Sequence, residues 1–264
     1  MNRYQGQELP ELARLLGEDV CTFAMLSRIV RGKCIKTVTD HQRVIMCLSV
    51  SPFPVWVWVA PDAPKEELAA VWQTLKAEFP PEEYAYNVGL PLARVMMEND
   101  PTLYESIGLM AYHCKQAIAP RKTPGGSASL VRLDEADLAI EWYRAMHKEC
   151  ALNEEIPLGS ARKAVMEHIY NDAMYFWRDE AGTPKAMCGV DKDEGAAYVA
   201  RVYTPPCERR KGYAANLVYA VSKDQIEQGR TPMLYTDANY AASNACYTQI
   251  GFELQGELRT VKIK

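Results

Sequence analysis

The chain has 264 residues, 48% hydrophobic and 24% charged, with 30 Lys and Arg against 34 Asp and Glu for a net charge of −4. That balance excludes a wholly disordered chain, which would be poor in apolar residues, and lacks the basic footprint of a general nucleic-acid binder. No apolar run approaches the roughly 18 residues of a membrane span, and the N-terminus has no apolar signal core, so a cytoplasmic chain is expected. In chain order, the first half reads as a helix over 9–30 ended by Gly32, strands at 44–49 and 55–59, and a helix from Pro64 to Phe79. A strand at 84–88, a short helix at 90–98 and a strand at 109–114 follow. Trp56, Trp58 and Trp72 fall at strand and helix spacing, which assigns them to the core ahead of a pocket.

Residues 119–129 carry two prolines, paired glycines, two serines and no large apolar side chain, the composition of a linker. The expected organisation is an N-terminal α/β domain over 1–120, a linker over 121–129 and a second domain over 130–264.

The second half reads as a strand at 130–133 and a helix over 135–149 after Asp134, with Leu138, Trp142, Ala145 and Met146 on one face. A second helix is placed from a Ser160 cap to Tyr170. Strands at 174–177 and 185–188 flank a hairpin at Asp179–Gly182, and another strand spans 197–203. A helix over 209–228 closes at Gly229, a strand lies at 233–236, a helix over 242–250 closes at Gly251, and Phe252 opens a terminal strand pair. A strand ending in proline, a long helix, a strand and a short helix thus occur in both halves, which reads either as a divergent duplication or as two unrelated α+β halves.

Eight cysteines are present without a CxxC pair, and without a leader they are expected as reduced thiols. His147 and Cys150 have ligand-like spacing, but no second pair completes a metal site.

The segment Val202-Tyr-Thr-Pro-Pro-Cys-Glu-Arg209-Arg-Lys-Gly212-Tyr-Ala-Ala-Asn216 carries the chemistry. A strand stops at two prolines, a charged turn follows, and a helix begins. The first amides of a helix lack internal partners and attract anions. Gly212 and Ala214 remove bulk, and Arg209, Arg210 and Lys211 add positive charge. The pattern reads as a diphosphate cradle or, blandly, as a solvated basic turn. It is neither a Walker loop nor a dinucleotide fingerprint. Downstream, Ser243 and Asn244 open a helix, Tyr247 lies one turn on, and Ile250-Gly-Phe252 exits into a strand.

Together the two segments resemble the GNAT N-acetyltransferase superfamily, whose Arg/Gln-x-x-Gly-x-Gly/Ala motif matches Arg209-Arg-Lys-Gly212-Tyr-Ala214. The resemblance covers about 130–264. It implies an α/β fold with a central mixed, mostly antiparallel twisted sheet flanked by helices, here preceded by a second, smaller α/β domain. It implies acetyl-CoA as cosubstrate. The main chain of Val202, Tyr203 and Thr204 would pair with the pantetheine arm between splayed strands. Arg209, Arg210, Lys211, Gly212, Tyr213 and Ala214 would hold the diphosphate, with Asn244 among the coenzyme contacts. Tyr247 stands where the family keeps its general acid, a phenol that protonates the departing thiolate. Many relatives carry an asparagine seven residues before that tyrosine; here Tyr240 fills the position, with Asn239 one earlier.

No motif names the base that deprotonates the acceptor amine. Glu149 at the end of the 135–149 helix is the candidate, with Asp237 and His168 the others; each also has a plain structural reading. Nothing activates Cys246, so direct attack in a ternary complex is expected over an acyl-cysteine. The segment Asp62-Ala-Pro-Lys-Glu-Glu-Leu68 directly after Pro61 is acidic and holds no glycine, so the first half is not expected to bind CoA and would wall the acceptor pocket or mediate dimerisation. The expected reaction is acetylation of the primary amine of a small or amino-acid-like acceptor, by a monomer or homodimer. A non-catalytic acyl-CoA-binding module and a peptide or protein N-acetyltransferase are the alternatives.

Overall fold

The computed structural model describes residues 1–150, 155–193 and 195–264. The chain begins with β1 (Asn2–Tyr4), a 3-10 segment over Pro10–Val20 and α1 (Ala24–Ile29). The expected single helix over 9–30 is therefore broken. Gly17 sits at φ 50°, ψ −120°, a conformation no helix contains, and divides the segment before α1.

Strands β2 (Lys36–Thr39), β3 (Val44–Leu48) and β4 (Val55–Val59), helix α2 (Lys65–Glu78), β5 (Tyr86–Gly89), α3 (Leu90–Asn99) and β6 (Leu103–His113) follow. Short β1 and β2 have no counterpart in the sequence reading, and β6 starts six residues earlier than expected. Then come β7 (Ser127–Leu130), α4 (Ala136–Glu149), α5 (Leu158–Tyr170), β8 (Met174–Arg178), β9 (Pro184–Asp193) and β10 (Ala196–Tyr203). After a 3-10 turn at Pro206–Glu208 the chain ends with α6 (Tyr213–Glu227), β11 (Thr231–Asp237), α7 (Ala241–Gln249) and β12 (Glu253–Ile263). Where a terminal strand pair was expected, one continuous strand runs to Ile263.

Two compact units are present, and they are not contiguous halves. One comprises 1–111, 236–239 and 254–264; the other comprises 112–235 and 240–253. The C-terminal strand expected with 130–264 thus groups with the N-terminal unit.

In the first unit the strand order is β1-β2-β3-β4-β5-β12-β6. β4 and β5 are parallel, and β5 is antiparallel to β12 through Leu258↔Gly89 to Val261↔Tyr86. The run Val-Trp-Val-Trp-Val of β4 is buried along nearly its whole length because both faces are covered. Val55 and Val57 join Trp72, Leu75, Leu92 and Met96 in a core under α2 and α3. Trp56 and Trp58 are buried too, and Trp58 Nε1 donates to Asp19 of the N-terminal segment at 2.9 Å.

In the second unit the order is β11-β10-β9-β8-β7, mixed because β10 and β11 are parallel. Helices α4 and α5 pack on one another, and Trp142, Tyr143, Val165 and Ile169 close over Met174, Phe176, Met187 and Tyr203. β9 is buried at five consecutive residues, Ala186–Val190, because both of its faces are covered there. Along the chain the order strand, helix, parallel strand, short helix, long strand occurs twice, as β4-α2-β5-α3-β6 and β10-α6-β11-α7-β12. Both parallel ladders are three residues long, Val55–Val57 with Tyr86–Val88 and Ala196–Tyr198 with Thr231–Met233. All eight cysteines are free, and the Cys34 and Cys47 thiols approach to 3.0 Å. Among the described residues no helix is long and apolar enough to cross a membrane.

Candidate functional site

The site is built on the end of β10. That strand pairs with β9 in regular register from Ala196↔Asp193 to Ala200↔Gly189, then resumes at Tyr203↔Met187. Three steps on β10 oppose two on β9, so one extra residue is accommodated as a bulge. Arg201 carries it, at φ 55°. On its other edge β10 pairs with β11 only as far as Tyr198 and Met233. Among the described residues, the main chain from Val199 to Tyr203 on that edge therefore lies outside this ladder.

Pro205 ends the strand and the turn at Pro206–Glu208 leads to the basic triplet. Arg210 is left-handed at φ 63°, as is Gly212 at φ 94°, the N-cap of α6. The helix thus begins at Tyr213, four residues later than expected, and Arg209–Gly212 form the loop before it. No side chain caps it. Its first amides have no upstream carbonyl and no cap, the condition for anion binding.

The triplet is not free positive charge. Lys211 Nζ donates to Glu208 Oε2 at 2.8 Å, and Lys185 reaches the other oxygen of Glu208 at 3.0 Å. These lysines hold the Glu208 carboxyl below the usual range. Arg209 donates from Nε to Thr204 O at 2.9 Å and from Nη2 to Glu149 Oε2, and its guanidinium lies 5.8 Å from the Tyr203 ring centre.

The segment expected as a linker is part of this site. Lys122 O accepts from Asn216 Nδ2 at 2.7 Å, and the same nitrogen reaches Gly212 O at 2.9 Å. Lys122 Nζ donates to Arg210 O at 2.9 Å. A Cβ on Gly212 would lie 3.2 Å from Lys122 O and 3.4 Å from Pro124 Cδ. Gly126 packs so closely on Arg178 that a Cβ there would stand 1.8 Å from its carbonyl oxygen. Residues 122–126 are a strap across the start of α6, and β7 begins inside the supposed linker, three residues before the expected strand. A polar, glycine-rich segment orders here because its main chain finds hydrogen-bond partners, not because it buries apolar surface.

Glu149, the last residue of α4, accepts from Tyr203 Oη at 3.1 Å while its other oxygen holds Arg209. Burial and the Glu149 carboxylate raise the Tyr203 phenol, and the same carboxylate raises the Arg209 guanidinium. Three residues named from the sequence on separate elements, Glu149, Tyr203 and Arg209, are thus joined in one hydrogen-bonded group. Val202 and Thr204 flank Tyr203 on the same strand end, and the Thr204 hydroxyl is buried with no hydrogen-bond partner among the described residues.

Tyr247 lies on α7, buried, with its ring 5.9 Å from that of Phe252. Burial raises its phenol well above an ordinary tyrosine and keeps it protonated. Asn244 sits one turn earlier on α7, with its amide N–H on Tyr240 O. Burial also raises the Cys246 thiol, which disfavours a thiolate nucleophile there. Asn239 is held in a turn by Asp237 Oδ1 at 2.8 Å. His168 is satisfied inside the second unit by Ala164 O and Asp191. The pair His147 and Cys150 meets only through Cys150 Sγ on His147 O, and among the described residues no group of three His, Cys, Asp or Glu is arranged for a metal.

Sequence reading missed Lys122, Asn216, Glu208 and Lys185. Asn216, four residues after Gly212 and therefore on its face of the helix, is the one a helical spacing could have pointed to. The others depend on contacts distant along the chain.

A family model described as FR47-like protein matches residues 181–261, the stretch from the β8–β9 turn through β12. No curated protein matches the chain by sequence. An acetyltransferase of the GNAT family from Colwellia psychrerythraea superposes with a TM-score of 0.65 at 12% identity, over 100% of both chains. A GCN5-related N-acetyltransferase from Kribbella flavida gives 0.63 at 18% identity, over 94% of this chain and 95% of that one. One from Sphaerobacter thermophilus gives 0.64 at 14% identity, over 97% and 92%. Residues 181–261 thus resemble the FR47-like family, within a chain whose fold is similar along its whole length to those solved acetyltransferase structures.

Proposed function

We propose that this protein is an acetyl-CoA-dependent N-acetyltransferase acting on the primary amine of a small or amino-acid-like acceptor. The observation that carries the reading is the conjunction at the end of β10: a ladder with β11 that stops after three residues, a bulge, and the uncapped start of α6. An acyl-thioester on a long pantetheine arm with a diphosphate needs those parts. Main-chain groups of Val202 and Tyr203 and the N–H of Thr204 pair with the amides of the arm, and the first amides of α6 receive the diphosphate. The Thr204 hydroxyl, buried without a partner, is a polar group such a ligand satisfies.

In the proposed reaction Glu149 accepts the proton from the acceptor ammonium. The freed amine forms a C–N bond to the thioester carbonyl, and a main-chain N–H beyond the β10 bulge donates to the developing oxyanion. The C–S bond breaks, Tyr247 gives its proton to the leaving thiolate, a role suited to a phenol that burial keeps neutral, and the phenolate so formed takes the second proton from the new amide nitrogen. The products are an amide and CoA.

One coenzyme site per chain is expected. In the first unit the start of α2 carries Glu66 and Glu67, and Arg43 is already committed to Glu67 at 2.8 Å and Asp62 at 3.0 Å. Carboxylates at that helix start repel a diphosphate.

Calorimetric titration with acetyl-CoA, followed by measurement of CoA thiol release across a panel of amines, tests the proposal. Binding at one site with amine-dependent release supports it. Binding without release on any small amine or peptide leaves a non-catalytic acyl-CoA-binding module. Release on peptide N-termini or lysines alone moves the acceptor to protein. No binding by folded protein overturns the coenzyme assignment.

A further inference from the structure

Arg201 is the one residue of β10 in a left-handed conformation, and it is not glycine. An L side chain resists that conformation, so surrounding contacts must hold it. Those contacts are specific. Arg201 Nη1 donates to Asp191 Oδ2 on β9 at 3.3 Å. The other carboxylate oxygen, Asp191 Oδ1, is 2.9 Å from His168 Nε2 on α5, and His168 Nδ1 is 2.7 Å from Ala164 O. The three side chains are 22%, 24% and 9% exposed, so the charges are largely withdrawn from water and depend on one another. The arm of Arg201 crosses the strand beside Gly189, where a Cβ would stand 3.2 Å from Arg201 Cδ and 3.6 Å from His168 Cδ2.

We propose that Asp191 and His168 are positioning residues for acyl transfer, clamping the Arg201 side chain so that the β10 bulge is held in the form that presents the main chain of Val202–Thr204 to the coenzyme arm. This inference rests on the coenzyme reading above, but the clamp itself is a property of the free protein. None of the three side chains is assigned a part in the chemistry. Their effect runs through Arg201 φ and the strand path after it.

The distinguishing prediction uses glycine. Arg201→Gly removes the clamped side chain but adopts the left-handed conformation without help. Asp191→Ala in the natural background should weaken acetyl-CoA binding by about tenfold, whereas in the Arg201→Gly background the same change should cost less than about twofold. A stabilising ion pair with no bearing on the bulge would give no such rescue of affinity. His168→Ala, which removes the group on Asp191 Oδ1, should reproduce the loss to a lesser degree and serves where Asp191→Ala folds poorly. Calorimetry with acetyl-CoA reads the affinities, and amide hydrogen exchange over 199–204 reads the strand in the free protein. Faster exchange in Asp191→Ala, restored in the double variant, supports the clamp. Equal exchange and equal affinity in natural and Asp191→Ala protein, or a double variant no better than Asp191→Ala, overturns it. Should the natural protein bind no acetyl-CoA, the coenzyme reading falls, and exchange alone still decides the clamp.

Discussion

Tyr203 and Arg209 are tied to the two oxygens of a single carboxylate, Glu149, so the candidate base and the candidate diphosphate loop share a residue. The ion pair is 38% and 41% exposed at its two side chains, which places its net worth at no more than about 1 kcal/mol. Glu149→Gln removes the charge and keeps the shape. It should release Arg209 for the diphosphate and tighten acetyl-CoA up to about fivefold, while turnover falls by about 100-fold through loss of the base. Titration and steady-state kinetics on the same preparation separate the two effects. Unchanged turnover would remove Glu149 from proton transfer.

Tyr247→Phe should lower turnover between about 10- and 10^4-fold with acetyl-CoA affinity nearly kept, because only the hydroxyl is lost. The buried phenol is raised above the ordinary value of about 10. Turnover by the natural enzyme should therefore persist through pH 10 with no loss of the acid there. The linkage has the same sign: a folded value above the unfolded one stabilises fully below about pH 10, and that contribution is lost as pH rises through the folded value. Thermal unfolding followed between pH 8 and 11 should show an alkaline decline that Tyr247→Phe blunts. A turnover limb at pH 10 in the natural enzyme, absent from its stability curve, would argue against this tyrosine as acid.

Gly212 is constrained twice, by φ 94° and by Lys122 O at 3.2 Å from its missing Cβ. Gly212→Ala should cost about 1 kcal/mol of stability and, by pushing the strap off the loop, weaken acetyl-CoA about fivefold to tenfold. Gly212→Glu should abolish binding by adding a carboxylate at the α6 start. Natural affinity in Gly212→Glu would sink the cradle.

What was legible in the sequence was whatever repeats over a local period. The alternation of Val55–Val59 and the 3.6-residue spacing of 136–149 place β4 and α4 within a residue or so. The loop before α6 was legible because prolines, charge and glycine coincide within a dozen residues. Two of the failures share a cause, a long-range contact outweighing local composition. Residues 122–126 look like a linker, yet Asn216, Arg210 and Trp177 supply their partners, with Trp177 Nε1 on Gly125 O at 3.3 Å. A third is local: Gly17 lies inside the helix expected over 9–30, and its φ of 50° breaks it. The basic triplet reads as positive charge, because Glu149 lies 60 residues away in sequence and nothing local announces its pairing with Arg209.

The strap itself can be tested through its glycines. Gly126 is at φ 109° with Arg178 O 1.8 Å from the Cβ position, a main-chain atom that cannot step aside. Gly182 is also left-handed, at φ 80°, but nothing lies within 4 Å of its Cβ position. Both glycines carry a positive-φ penalty, and Gly126 alone adds a clash with main chain. Gly182→Ala should cost about 1 kcal/mol, seen as a small drop in Tm, with acetyl-CoA affinity unchanged. Gly126→Ala should cost well over 2 kcal/mol if the fold resists, or else free the strap. In the second case limited proteolysis should cut within 119–126, and acetyl-CoA affinity should fall as Lys122 leaves Asn216 and Arg210. Equal behaviour of the two variants would mean that 122–126 is a linker after all, resting on the loop without holding it.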